Sequence, residues 1–348
     1  MKRVLVTGAG GPAGVNFIKS LRLAPEKFFI VGSDANKYHL ELPDCDARYL
    51  VAPCSHPEYI NQLNAIVEAE GVEFVHPQPD VEVRTISENR EKIKAKTFLP
   101  RKETVRICQD KKATAEIWEK KGIPVARTIP VEDEGSLKEA ARELGFPFWL
   151  RATTGAGGRG STPCCNIETA KAWITYWRSR GENWEFIAQE YLPGRNIAFH
   201  SIWNDGELIV SQARERLEYI YPSLAPSGVT GTPSVAVTIE REDVNRIATD
   251  CILAVDSKPN GIFCVDLKEN RNGIPCPTEI NAGRFFTTSL FFSQAGLNMP
   301  YIYVKLAYNE EIPKLKKYNA LGAGLYWIRH IDSGPILVRE GEWRSKKL

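Results

Sequence analysis

Between residues 3 and 76 short apolar runs alternate with helical patterns: the runs at residues 3–7, 28–33 and 74–76 enclose helix-like stretches at residues 13–22 and 57–70. Strands joined through helices cannot pair as hairpins, so they lie parallel, and a parallel sheet must be covered on both faces. The pattern predicts a doubly wound, Rossmann-like α/β unit at the start of the chain. Two charged amphipathic helices are expected next, at residues 109–121 and 136–144, each followed by Gly and Pro. From Phe146 the texture changes to strand-like runs at residues 148–152, 161–166, 186–191, 197–203 and 208–215, separated by glycine clusters and turns. Antiparallel sheet with one or two inserted helices is the simplest reading of that part. A chain of 348 residues holds two or three domains, and the expected fold class is α/β followed by α+β.

Charge and composition exclude several classes. Lys and Arg total 45 and Asp and Glu 43, a net charge of +2, without the basic stripe that a nucleic-acid partner requires. The opening MKRVLVTGAGG has too short an apolar run for a secretory signal, and no stretch reaches membrane-spanning length. A cytoplasmic protein with no membrane partner is expected. The 8 cysteines show neither CxxC pairs nor a Cys/His zinc spacing, and the adjacent Cys164 and Cys165 are read with the rest as free thiols of a reducing compartment.

Two glycine loops follow buried strands. Residues 7–14, TGAGGPAG, open a helix, where glycine lets backbone amides approach an anion. As a dinucleotide fingerprint this loop has Ala13 for its third glycine and Asp34 as ribose acceptor. The alternatives are a tight turn that packs closely, or contact with another ligand through Gly10 and Gly11. Residues 151–162, RATTGAGGRGST, follow a strand that ends in the cation Arg151. Gly155, Gly157, Gly158, Gly160 and the hydroxyl of Ser161 are suited to wrapping phosphates. A strand-like run follows, in place of the GKS or GKT helix start of a Walker loop, so a hairpin lid is expected.

Residues 261–286, GIFCVDLKENRNGIPCPTEINAGRFF, contain two strand-like runs joined by Asn272-Gly273, the strongest short hairpin dipeptide. With those two as the loop, Arg271 pairs with Ile274, Lys268 with Pro277 and Asp266 with Glu279. Two directly opposed carboxylates repel unless a cation lies between them, and the strand period puts Asn281 on the face of Glu279. Two carboxylates and an amide oxygen converging on one point suit magnesium, whose remaining positions go to phosphates.

These pieces, in this order, resemble the ATP-grasp superfamily, and more narrowly one ATP-grasp half of the carbamoyl-phosphate synthase large subunit, over nearly the whole chain. They are a Rossmann-like pre-ATP-grasp domain, a DK helix start (Asp110, Lys111), a cation after GFP (residues 145–147, then Arg151), the glycine lid, a QEYLPG hinge (residues 189–194), and an acid followed by ExN (Asp266, Glu279, Asn281). The resemblance implies a pre-ATP-grasp domain at residues 1–105, then a two-lobed ATP-grasp domain with a lid subdomain at 106–190 and a C-terminal subdomain with the metal hairpin at 191–348. It implies ATP phosphates on Lys111 and Arg151, the lid from Gly155 to Gly160 over them, and adenine against Gln189, Glu190, Tyr191 and Leu192. Magnesium, or manganese, falls to Asp266, Glu279 and Asn281, and Arg284 joins Lys111 and Arg151 in cancelling charge on the transferring phosphoryl group. Two positions depart from the family: Asn196 stands at the ribose position where an acid is usual, and ExNPR is stretched to ExNAGR, which moves Arg284 by one residue.

The implied reaction is a ligation, in which a carboxylate-type acid attacks the γ-phosphate of ATP and an amine or similar nucleophile opens the acyl phosphate. The alternatives are a nucleotide-binding relative without turnover, and an NAD(P)-dependent oxidoreductase that uses the first glycine loop. The expected partners are a small-molecule acid and an amine or similar acceptor; assembly is open, a homodimer being one option. Acceptor recognition is expected between the first glycine loop and the strand that starts at Leu208, where Arg214 and Arg216 share a face. They either clamp a substrate carboxylate or pair with Glu215 and Glu218. His76, at the C-terminal end of a parallel strand, is read as structural.

Overall fold

The computed structural model describes residues 1–154, 160–224, 228, 232–330 and 346–347. Its first part contains β1 (Lys2–Thr7), α1 (Pro12–Arg22), β2 (Phe28–Asp34), β3 (Ala47–Leu50), α2 (Tyr59–Glu70), β4 (Phe74–Pro77) and α3 (Asp80–Glu88), followed by α4 (Lys102–Cys108) and α5 (Lys111–Lys120). Strands β3, β2, β1 and β4 lie side by side and parallel in that order. Successive residues of β1 go to opposite faces. Val4 and Val6 join one core with Phe17 and Ile18 of α1, whereas Leu5 joins another with Tyr59 and Leu63 of α2. Both faces are covered, which is why the strand reads as an unbroken apolar run. Strand β3 escaped the sequence reading because Arg48 lies in its middle, and this guanidinium is buried through bonds to the carbonyls of Pro43 and Cys45.

The loop between β1 and α1 is packed tightly. Asp34 accepts from Gly10 N (3.1 Å) and Asn36 N (2.9 Å), so the acid proposed for a ribose holds the loop itself. A β-carbon on Gly10 would lie 2.3 Å from the His39 backbone, whereas one on Gly11 would meet only the Gly8 carbonyl at 3.4 Å. Of the two glycines expected to face a ligand, only Gly11 has room beside it. Gly10→Ala is expected to destabilise the fold by about 1–3 kcal/mol through overpacking. Urea unfolding reads this directly, and a change below about 0.5 kcal/mol, the range of neutral surface substitutions, would show that the 39–41 turn yields.

The next lobe is built from β5 (Thr128–Val131), α6 (Glu134–Leu144), β6 (Phe148–Ala152), β7 (Thr162–Cys164), α7 (Ile167–Ser179) and β8 (Phe186–Glu190), with strand order β5-β8-β6-β7 and every pairing antiparallel. Its core joins Leu137 and Ala140 of α6 to Phe148, Leu150, Ile174 and Trp177. The strand expected at residues 161–166 is only three residues long, because Asn166 turns the chain into α7 by accepting from Thr169 N.

The larger lobe follows: β9 (Asn196–Asn204), β10 (Glu207–Tyr219), β11 (Pro233–Ile239), α8 (Glu242–Val255), β12 (Gly261–Glu269), β13 (Pro275–Ala282), α9 (Ser289–Gln294), α10 (Met299–Ala307) and β14 (Tyr326–Ile328). Its sheet runs β13-β12-β9-β10-β11-β14, so the second half of the chain holds two antiparallel sheets where one was expected. Trp118 of α5 is buried with Ile197, Phe199, Val244 and Val265, and its indole donates to the Cys251 carbonyl. Helix α5 therefore belongs with this lobe, and the small lobe spans Thr128 to Glu190 where the sequence reading began it at residue 106. Phe285, Met299 and Tyr303 cover the α1 face of the first sheet, and β15 (Lys346–Lys347) pairs with β3. No helix among the described residues is long and apolar enough to cross a membrane. All eight cysteines are free thiols.

Candidate active site

The hairpin of β12 and β13 sets the geometry. Its loop has three residues, 271–273: Asn270 N donates to the Ile274 carbonyl, Gly273 N to that of Asn270, and Gly273 takes φ +74°. A three-residue loop ending in a left-handed glycine is the next most favoured closure after the two-residue turn. It corrects the expected register near the turn, where Leu267 faces Pro277 and Lys268 faces Cys276. Thr278 is then an extra, unpaired residue, and beyond this bulge Asp266 faces Glu279 as expected. Without the bulge, Glu279 would fall opposite Val265 and point into the core, since a one-residue slip reverses every side chain. On the turn side of the bulge Cys276 is packed with Leu192 and Ala126.

Each expected metal ligand meets a cation. Arg151 Nη2 lies 3.2 Å from Glu279 Oε2, and its Nη1 donates to the Thr278 carbonyl at 3.0 Å. Lys111 Nζ lies 3.5 Å from the same carboxylate oxygen. Burial alone would raise the Glu279 pKa, but Lys111 and Arg151 outweigh it and hold the carboxyl below its ordinary range. Burial lowers the pKa values of Lys111 and Arg151 in turn, with Glu279 opposing. Arg216 Nη2 donates to Asp266 Oδ1 at 2.6 Å, and Arg216 Nη1 to Asn196 Oδ1 at 3.1 Å. Arg284 donates to Asn281 Oδ1 at 2.6 Å and pairs with Asp80, a partner the sequence reading did not name.

The donor set fits a hard divalent cation. Two carboxylates and one amide oxygen share the face of adjacent strands, and among the described residues no cluster of three or more His, Cys, Asp or Glu side chains competes for a metal. So sparse a set leaves coordination positions for phosphate oxygens.

A cleft of about 270 Å³ lies between the two lobes. Its lining includes Trp149, Gln189 and Leu192, the arginines Arg214 and Arg284 with Phe286, and the carboxylates Asp266 and Glu279. A second groove, of about 470 Å³, reaches Lys111, Asp80 and Cys54, and shares Glu279 and Asn281 with the first.

Residues 110–187 match the family described as "Carbamoyl-phosphate synthase L chain, ATP binding domain". The biotin carboxylase of Nostoc sp. is 32% identical over 140 residues, which is 36% of this chain and 30% of that protein. Among solved structures, the biotin carboxylase domain of Hydrogenobacter thermophilus 2-oxoglutarate carboxylase, a dimer in complex with MgADP, ADP and bicarbonate, superposes with TM-score 0.71 at 16% identity, covering 93% of this chain and 73% of that one. Carboxyaminoimidazole ribonucleotide synthase from Aspergillus clavatus, complexed with ATP, gives TM-score 0.70 at 15% identity, covering 93% and 80%. This chain has the ATP-grasp fold. The matched stretches span between 11% and 37% of the length of these curated relatives.

Within the ATP-grasp frame the remaining expected residues separate by environment. Gly155, Gly157 and Gly158 lie outside the described residues. Gly160 has φ +72°, and a β-carbon there would lie 2.9 Å from the Trp184 ring; Ser161 beside it is buried. Gln189 donates to Thr128 Oγ1 at 2.8 Å, so its side chain ties strands together, while Glu190 and Tyr191 are half-buried on the cleft. Asp110 caps α5 by accepting from Lys112 N and Ala113 N. His76 is fully buried, bonded to Gln78 and stacked on Phe17, and burial lowers its pKa to about 4. Arg216 faces Asp266, where a surface pairing with its strand neighbours was one reading, and Arg214 donates to His200 Nε2 at 3.0 Å. The sequence carried one signal for Asp80 that went unused: an acid directly after a parallel strand, where open α/β sheets bind ligands.

Proposed function

We propose that the protein is an ATP- and magnesium-dependent ligase that phosphorylates a carboxylate-type acid and couples the acyl phosphate to an amine or similar nucleophile. The observation that carries this reading is the opposed pair Asp266 and Glu279, flanked by Lys111 and Arg151 in the cleft between two lobes. In this reading Lys111 and Arg151 hold the phosphates, residues 189–192 seat adenine, and Asn196 lies on the ribose side. Asp266, Glu279 and Asn281 hold magnesium or manganese, which supplies Lewis-acid stabilisation of the phosphoryl oxygens. Phosphoryl transfer asks little covalent chemistry of the protein beyond positioning and charge cancellation. An oxygen of the acid attacks the γ-phosphorus as its bond to the β-phosphate oxygen breaks, and ADP leaves. The nucleophile then attacks the acyl carbon, loses a proton and expels phosphate. Arg284, fixed by Asp80 and Asn281, is suited to the developing charge. Free thiols throughout fit a reducing compartment such as the cytoplasm.

The reading is tested by thermal unfolding with Mg-ADP or Mg-ATP against NAD⁺, NADP⁺ and magnesium alone. A ligand at about 100 times its Kd stabilises by roughly 2.7 kcal/mol, a rise in Tm of a few degrees. Stabilisation by magnesium-dependent adenine nucleotide alone is expected; stabilisation only by the dinucleotides would sink the reading. Arg151→Met is expected to weaken ATP roughly ten- to a hundredfold, the value of one or two hydrogen bonds to a charged group. Unchanged nucleotide affinity would remove Arg151 from the phosphate site. Asn196 and the displaced Arg284 favour one further reading, nucleotide binding without turnover, which phosphate release in the presence of acids and amines distinguishes.

A further inference from the structure

One row of the large sheet crosses four strands: Glu279 of β13 pairs with Asp266 of β12, Asp266 with Ala198 of β9, and Ala198 with Arg214 of β10. Directly paired residues point to the same face, so the two expected metal ligands and Arg214 rise from one side of the sheet. Ala198 between them contributes only a methyl group and leaves a trough. Two strand spacings put the Cα atoms of Asp266 and Arg214 about 10 Å apart. Both side chains line the same cleft.

Arg214 differs from the other arginines of the cleft. Arg151 has Glu279, Arg216 has Asp266 and Arg284 has Asp80. Arg214 is 2% exposed, and its Nε donates to His200 Nε2, so this imidazole is neutral. Its Nη1 is buried and has no hydrogen-bond partner among the described residues. The guanidinium lies over the Phe286 ring, 5.6 Å from the centroid, and Phe286 also stacks on His200. Burial and the nearby Arg216 lower the Arg214 pKa to about 9. A buried cation with a free N–H and no carboxylate bonded to it among the described residues is costly to keep, and a bound anion satisfies both needs at once.

We infer that Arg214 receives a second anionic group of the acid substrate, whose reacting carboxylate lies at the Asp266 end of the trough. This inference rests on the ligase reading above and narrows its substrate to short acids that carry two negative groups, the second a carboxylate or an equivalent oxyanion. A monoanion such as bicarbonate or propionate fills the reacting end and leaves the Arg214 N–H unmet. Bidentate guanidinium pairing favours planar or tetrahedral oxyanions, so carboxylate and phosphonate arms both fit.

The test saturates the protein with Mg-AMPPNP, which fills the nucleotide site, and then titrates matched acids while following intrinsic fluorescence or Tm. The probes are malonate, succinate and glutarate, 3-phosphonopropionate, and the monoanions propionate and bicarbonate. At least one dianion is expected to bind five or more times tighter than both monoanions, and Arg214→Met is expected to abolish the difference. Arg214→Lys, which keeps the charge, is expected to retain part of it and serves if the Met variant does not fold. The inference is overturned if no dianion reaches a fivefold preference, or if the preference survives Arg214→Met. Failure of Mg-AMPPNP itself to bind would bring down the ATP reading and this inference with it. Nucleotide binding without dianion preference brings down this inference alone. A preference confined to 3-phosphonopropionate identifies the second group as phosphate-like.

Discussion

Asp266→Asn and Glu279→Gln are each expected to lower magnesium-dependent turnover roughly a thousandfold, the loss of several kcal/mol of metal-borne charge stabilisation. The two variants should part company in stability. Asp266→Asn leaves Arg216 within reach of Asn196, which already accepts from its other nitrogen. Glu279→Gln leaves Lys111 and Arg151 facing each other across a neutral amide. That change should cost on the order of 1–3 kcal/mol, the penalty for stripping buried donors of a charged partner. Phosphate-release assays and urea unfolding separate the two effects. Turnover like that of wild type in both variants would remove the hairpin from the chemistry.

Glu82→Gln is expected to stabilise the protein by about 3 kcal/mol at pH 8 and to make no difference near pH 4. Glu82 is buried beside Tyr59 and Thr7, whose hydroxyls oppose the effect of burial without cancelling it. Burial raises its pKa from 4.5 to about 7. A group whose pKa is higher folded than unfolded stabilises the fold below the unfolded value, and that contribution disappears as pH rises through the folded value. The window therefore runs from about 4.5 to about 7. Glutamine is neutral throughout, so the difference between the two proteins isolates this single carboxyl from every other titration. A difference that does not vary with pH would mean that Glu82 ionises as freely in the folded state as in the unfolded chain.

The sequence revealed what repeats locally. The alternation that built β1, β2 and β4, the helix begun by Asp110, and the pairing of Asp266 with Glu279 all rest on residues close in sequence or on a period. The acid pairing was reached by a wrong loop, because a third loop residue and the extra Thr278 offset each other. What stayed hidden depends on distant contacts. Asp80 meets Arg284 across 204 positions, and Arg216 meets Asp266 across 50. The covering of the first sheet by α10 could not be read from a helix whose apolar residues fit any core. Trp118 likewise assigns α5 to the larger lobe through a partner more than a hundred residues away.

Arg151 belongs to the small lobe, yet both of its bonded nitrogens reach β13, one at the Thr278 carbonyl and one at Glu279. It is a latch whose catch is a backbone atom beside Glu279. A swing of the small lobe away from the larger one would have to open both bonds together, and Glu279 would then keep Lys111 as its cation. One side chain thereby ties the electrostatic surroundings of Glu279 to the seating of the small lobe.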